Sequence, residues 1–311
     1  MSAIPFVTLD EPRYGAAVPV SPLVRRVIAD NPSKYTYLGT GTYIVGRGDV
    51  AVIDPGPLLD EHRDALAAAL DGDRVRAILV THCHSDHSPL AAWLRAESGA
   101  PTIAFGPHGT VDTDPEIDDE TDDEIEPGVT LGETTDTDFD PDVRVSDGEI
   151  AAMGTGWTMR AVHTPGHTSN HMCYALEEEQ ALFTGDHVMG WSTTIVSPPD
   201  GDMRAYIDSL RKVMARDDVS LWPTHGAPVM APKPFLEAFL EHRLQREAQV
   251  LAAVRSGHSD IEGMVKELYA DVREELHRAA GRSVLSHLVK LVDDGAVNVE
   301  GKGKESRYFP N

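Results

Sequence analysis

The chain has 311 residues, 41% hydrophobic and 25% charged, a composition that suits a globular protein with one sizeable core and a smaller unit. Two cysteines, Cys83 and Cys173, are too few for a disulfide framework, and no apolar run reaches membrane-spanning length. Pro5, Asp10, Glu11, Pro12 and Arg13 interrupt the one apolar stretch near the start, so no secretory signal is read there and a cytoplasmic location is expected.

In chain order, residues 36 to 54 read as two strands joined by a turn at Gly46 to Gly48. Asp60 to Asp71 has the spacing of an amphipathic helix, and Val75 to Val80 that of a short buried strand. The strand runs into THCHSDHS, after which Ser88 is expected as a helix N-cap and Pro89 as the first helical residue, with the helix ending at Gly99. Residues 112 to 142 hold fifteen Asp and Glu and no Lys or Arg, which leaves nine of the 24 net negative charges to the rest of the chain. This segment has no apolar periodicity and is expected to be an exposed, poorly ordered insertion, with cation or partner binding as the alternative. Strands follow at 158–163, 171–176 and 181–184, then a helix from Met203 to Ala215 and a last short strand in SLWPTHG. Strands interleaved with helices predict a layered α/β domain over residues 1–232. Beyond it, residues 233–311 show a long helix (Phe235 to Ser256), two more at about 259–270 and 282–294, and a hairpin turning at Gly301 and Gly303, the pattern of a winged helix-turn-helix.

The chemistry concentrates in His82, His84, Asp86 and His87. Alternate residues of an extended segment point the same way, so His82 and His84 can reach one ion, while Asp86 and His87 can reach a second where the loop turns into a helix. Three further ligand-type residues stand just past strands: His167 in TPGHT, Asp186 in FTGDH and His225 in WPTHG. The carboxyl ends of strands in an α/β fold gather at one edge, where sites form. His82, His84 and His167 are therefore assigned to one metal, and Asp86, His87 and His225 to another, with Asp186 bridging. Imidazole and carboxylate without thiolate suit zinc first, with manganese or ferrous iron as alternatives.

THCHSDH, TPGHT, TGD and PTHG resemble the successive motifs of the metallo-β-lactamase superfamily, over about residues 20 to 230. The resemblance implies an α/β fold of αββα sandwich type and hydrolase activity. The motif order is similar to that of the branch containing glyoxalase II, which implies an aspartate bridge at Asp186 and differs from β-lactamases with a cysteine at the second metal. The winged helix after the last ligand, with Glu241, His242 and Arg243 on the linking helix, resembles the animal mitochondrial β-lactamase-like endoribonuclease and its bacterial relatives. Thr224 stands where the family usually has Gly, so the turn carrying His225 is expected to be tighter or shifted.

The expected reaction is hydrolysis by a hydroxide shared between two divalent cations, with Asp86 orienting it or carrying a proton as the catalytic residue. Cys83, between two ligands, is expected to point away. His171 is read either as fixing a ligand or as a satisfied buried histidine, and His163 as core. His187 is read as packing, with contact to substrate or support of a ligand as the alternative; SNH (Ser169 to His171) and GWSTT (Gly190 to Thr194) could line the pocket with hydroxyls, and the remaining histidines are read as surface or packing residues. Three functions compete: a hydrolase of small esters, thioesters or β-lactam-like amides; a phosphodiesterase or endoribonuclease on single-stranded RNA; and a metal-sensing winged-helix regulator. From Ser259 to Asn311 eight Lys and Arg face ten Asp and Glu, which is no footprint for phosphate contacts. A small-molecule carbonyl substrate is therefore ranked first and nucleic acid second. The winged helix is expected to cap the pocket or to mediate self-association.

Overall fold

A computed structural model describes residues 4–109, 134–270 and 277–311. The first sheet contains, in spatial and sequence order, β1 (Val18–Pro19), β2 (Val24–Ile28), β3 (Gly41–Arg47), β4 (Asp49–Ile53), β5 (Arg74–Leu79), β6 (Thr102–Ala104) and β7 (Val143–Arg144). β1 to β4 pair antiparallel, and β4 to β7 pair parallel. The second sheet comprises β8 (Ile150–Gly154), β9 (Trp157–His163), β10 (Met172–Leu176), β11 (Ala181–Gly185) and β12 (Ser220–Pro223), of which only β11 and β12 pair parallel.

Period-two alternation sends the two faces of each strand to different cores. Tyr43, Val45, Ala51, Ile53 and Leu79 meet Met159, Tyr174, Phe183 and Trp222 between the sheets. The intervening residues Ile44, Val50, Val52 and Ile78 pack outward on α1 (Asp60–Ala69) and α2 (Leu90–Ser98). On the far side, Val162, Cys173, Ala175 and Leu182 pack on α3 (Met203–Met214) and on the start of α4 (Pro232–Arg255). Layer order is thus helix, sheet, sheet, helix. Both faces of each sheet are covered, so the strands read as near-continuous apolar runs rather than as a clean alternation.

The second half of α4 belongs to another core. Val250, Ala253 and Val254 pack with Met264 and Val265 of α5 (Ile261–Leu268), Val284 and Leu288 of α6 (His277–Asp293), Val297 of β13 (Val297–Glu300) and Tyr308 of β14 (Arg307–Pro310). β13 and β14 form the antiparallel hairpin expected from the sequence.

Two expectations are corrected. Ser88 does not cap α2: its hydroxyl donates to Asp136 at 2.6 Å, and the helix has no side-chain cap. Of the acidic insertion, residues 112–133 lie outside the described residues, but the remainder is not a solvated loop. Thr135 bridges the backbone of His84, the Asp136 amide donates to the Cys83 carbonyl at 2.7 Å, and Asp142 binds Arg95 and Thr102. Phe139 supplies the hydrophobic anchor at 9% exposure.

Candidate metal centre

The parallel pairs β4–β5 and β11–β12 end at one edge of the sandwich, and their following residues converge there. Asp54 follows β4, Thr81 to His87 follow β5, Asp186 follows β11 and His225 follows β12. His167 comes from the β9–β10 turn. Tyr43 ties the two sheets together behind this edge: its ring contacts Phe183 and Trp222, and its hydroxyl donates to the Pro223 carbonyl at 2.6 Å.

All seven residues expected as ligands come together. The ligand atoms of His82, His84 and His167 lie within 4.8 Å of one another, as do those of Asp86, His87 and His225, and those of His82, His87 and Asp186. Nδ1 of His84 lies 2.9 Å from Nε2 of His82 and 3.2 Å from Nε2 of His167. Asp186 stands between the groups: its carboxylate oxygens are 3.7 Å from His87 Nε2, 3.5 Å from His225 Nε2 and 4.0 Å from His167 Nε2. Asp86 Oδ2 is 3.2 Å from His225 Nε2 and 3.4 Å from His87 Nε2.

Hydrogen bonds behind the cluster aim it. Nδ1 of His167 donates to the Ile195 carbonyl at 2.7 Å and Nδ1 of His225 to the Gly39 carbonyl at 3.1 Å, which turns each Nε2 inward. Thr40 donates to Asp86 at 2.8 Å. His171 accepts the Asp186 amide on Nε2 and pairs Nδ1 with Thr164, so it fixes a ligand. The sequence reading missed Asp54, the hub of this layer. Its carboxylate accepts from the Thr81 amide and hydroxyl at 2.8 Å each, from His87 Nδ1 at 2.9 Å and from the Thr224 hydroxyl at 3.1 Å. It holds φ at 47°, uncommon for a residue with a side chain. Its signal in the sequence is an acid at the end of an apolar strand, the same signal that marked Asp186. Thr224 therefore has a use: its hydroxyl joins the Asp54 hub where the family usually has Gly.

The electrostatics divide the cluster. Burial, then the neighbouring imidazoles, pushes His82 and His84 well below the usual histidine range, so both are neutral. Burial also opposes charge on His87, but Asp86, Asp186 and Asp54 together raise it to about 9; Asp186 and Asp86 likewise raise His225 well above its ordinary value. Despite burial, the two imidazoles hold Asp86 and Asp186 ionised, well below the usual carboxylate range. Among the described residues, His87 Nε2 and Asp186 Oδ1 are buried without hydrogen-bond partners. Unpartnered buried polar atoms are costly. Imidazoles and ionised carboxylates converging from several strands, with ligand atoms left over, fit divalent cations, which would displace the protons that the carboxylates favour on His87 and His225. Cys83 takes no part: its sulfur accepts from Asn170 at 3.0 Å, and burial pushes its thiol up to about 12.

Residues 37–225 match the sequence profile of the metallo-beta-lactamase superfamily, and residues 261–305 that of the beta-lactamase associated winged helix domain. The chain belongs to the metallo-β-lactamase superfamily. Superfamily membership implies a hydrolase with divalent metal ions, and the His and Asp clusters could hold them. An atrochrysone carboxyl ACP thioesterase from Aspergillus novofumigatus is 31% identical over 308 residues, covering 94% of this chain and 85% of the relative. A lactamase-like protein from another Aspergillus is 30% identical over 312 residues, covering 93% of this chain and 87% of the relative. Among solved structures, a beta-lactamase domain protein from Burkholderia ambifaria superposes with a TM-score of 0.76 at 20% identity, covering 97% of this chain and 95% of that one. That likeness shows the fold, a metallo-β-lactamase sandwich carrying a C-terminal winged helix. No helix among the described residues is long and apolar enough to cross a membrane.

Proposed function

We propose that this chain is a dinuclear hydrolase of thioesters, with ester and activated amide substrates of the same carbonyl class within reach. The observation that carries the reading is the placement of Asp186 between two triads of potential ligand atoms in one buried cluster. His82, His84 and His167 would hold one cation, Asp86, His87 and His225 the other, with Asp186 shared; the nitrogen and oxygen donor set suits zinc best. When bound, the cations supply a water of lowered pKa and a positive charge facing the oxyanion that develops at the attacked carbonyl. The thioester preference is supported by the relative named as an ACP thioesterase.

The protein's own contributions are positional and acid–base. Asp54, His171 and the carbonyls of Ile195 and Gly39 hold the imidazoles and Asp186 in one arrangement, so little reorganisation is needed during the reaction. Asp86 is the natural proton carrier. Its side chain is 18% exposed, against 5% for Asp186 and 0 to 2% for His87, His167 and His225, so it is the ligand nearest the opening. Held on Oδ2 by Thr40, it can orient the nucleophile and pass its proton to the leaving thiolate.

A phosphodiesterase reading ranks second. The winged-helix match favours it, and the acid excess over residues 259–311 opposes it. The test is a panel on the metal-loaded protein: acyl thioesters of pantetheine, aryl esters, nitrocefin, a bis-aryl phosphodiester and single-stranded RNA. Thioester kcat/KM is expected to lead; faster phosphodiester or RNA cleavage would reverse the assignment.

A further inference from the structure

An aromatic pair lies close to the candidate metal centre. Tyr37 and Trp191 stack face to face with ring centroids 4.8 Å apart and planes at 13°. Both are half-buried, so each keeps a solvent-facing part. Their place in the chain puts them beside the triad of Asp86, His87 and His225. Tyr37 begins the turn in which the Gly39 carbonyl accepts a hydrogen bond from His225 Nδ1 and Thr40 holds Asp86. Trp191 rests on Gly226, the residue after His225; a Cβ at Gly226 would stand 3.0 Å from the indole Cδ1, and Gly226 has φ of +91°. The glycine thus makes room for the indole.

Two features set this pair apart from ordinary packing. Tyr37 holds φ at 57°, the left-handed region that a bulky side chain rarely occupies, and such strain gathers at binding and catalytic sites. The indole Nε1 of Trp191 is itself buried and has no hydrogen-bond partner among the described residues. The solvent-facing parts of two stacked aromatic rings suit a flat π system. It gives little to a short alkyl chain.

We infer that Tyr37 and Trp191 form an aromatic wall that binds a flat, unsaturated acyl group of the substrate beside the metal centre. This rests on the thioester reading, since it assigns the acyl part of that substrate. Both are specificity residues, and neither is asked to do chemistry.

The experiment compares 2-naphthoyl and acetyl thioesters of pantetheine on the metal-loaded wild type and on Trp191→Leu, Tyr37→Leu and Trp191→Phe. The ratio of kcat/KM values, naphthoyl over acetyl, is expected to fall about three- to tenfold in each leucine variant, the range of an aromatic pair, and less in Trp191→Phe. A ratio unchanged within twofold, with both substrates slowed together, would show that the stack only props the loops and would overturn the inference. Should Trp191→Leu fail to fold, Tyr37→Leu and Trp191→Phe give the same reading with smaller changes. If the wild type hydrolyses no thioester, the proposed function fails while the wall stays testable. Calorimetric binding of 2-naphthoate against cyclohexanecarboxylate then decides: preference for the aromatic acid, lost in Tyr37→Leu, supports the wall, and equal affinities refute it.

Discussion

Replacing Arg243 by Ala should loosen a metal ligand from the far side of the sandwich. Arg243 lies on α4 and is 4% exposed. Its guanidinium donates to the Thr194 carbonyl and lies 4.9 Å from the centre of the Tyr206 ring. Thr194 and Tyr206 in turn donate to the His187 carbonyl, at 2.9 and 2.8 Å. The residue after Thr194 is Ile195, whose carbonyl orients His167. Arg243 thus pins, one residue away, the loop that aims a ligand. A buried hydrogen bond from a charged group contributes about 1.5–3 kcal/mol, and the cation over Tyr206 adds roughly 0.5–2 kcal/mol. Arg243→Ala should therefore lower the stability of the metal-stripped protein by about 3 kcal/mol. Groups that orient a metal ligand typically govern affinity about 10–100-fold, so metal should also bind that much more weakly. Arg243→Lys keeps the charge but loses the planar fork, and should fall between. Urea unfolding of the stripped protein reads the first effect, and chelator competition with cobalt or zinc the second. If Arg243→Ala binds metal as tightly as wild type, Arg243 does not position His167 and the coupling drawn here is wrong.

Asp54→Asn keeps the shape of the hub but removes its charge; metal affinity is expected to drop about 10–100-fold with the far-ultraviolet dichroism unchanged, and an undiminished affinity would strip Asp54 of its role. His62, 2% exposed and 2.9 Å from the Thr42 hydroxyl, is pushed down to about 4 by burial, against which the Pro55 carbonyl works only partly. Between pH 6.5 and about 4 the unfolded chain thus binds one more proton at this site, so stability falls as pH falls, by a contribution of about 3 kcal/mol across the window. His62→Gln should flatten that acid slope by about one proton, and an unchanged slope would place the titration elsewhere.

The parts legible in the sequence were those that recur locally. THCHSDHS puts four of the clustered side chains in one loop, and His167, Asp186 and His225 join them because the sandwich collects strand ends at one edge. Asp54 escaped because its partners Thr81, His87 and Thr224 are distant in sequence, and a lone strand-end acid has no local motif. Arg243 escaped for a related reason: on a helix it reads as a solvated charge, and only the packing of α4 on α3 buries it beneath Tyr206. β1 and β2 were missed because Pro19, Ser21, Arg25 and Arg26 break the apolar run, although Arg26 is buried and donates to the Gly226 carbonyl. The tail of the acidic insertion was misread because its composition is that of a solvated loop, while its backbone bonds to Cys83 and Ser85 are invisible to composition.

The proposed site would hold two cations around Asp186. Metal content per chain, measured by elemental analysis after loading and desalting, tests it most directly. Two divalent ions per chain are expected for the wild type, with Asp186→Ala losing at least one of them. A wild type that retains one ion or none, or an Asp186→Ala variant that still holds two, would contradict the shared-ligand arrangement.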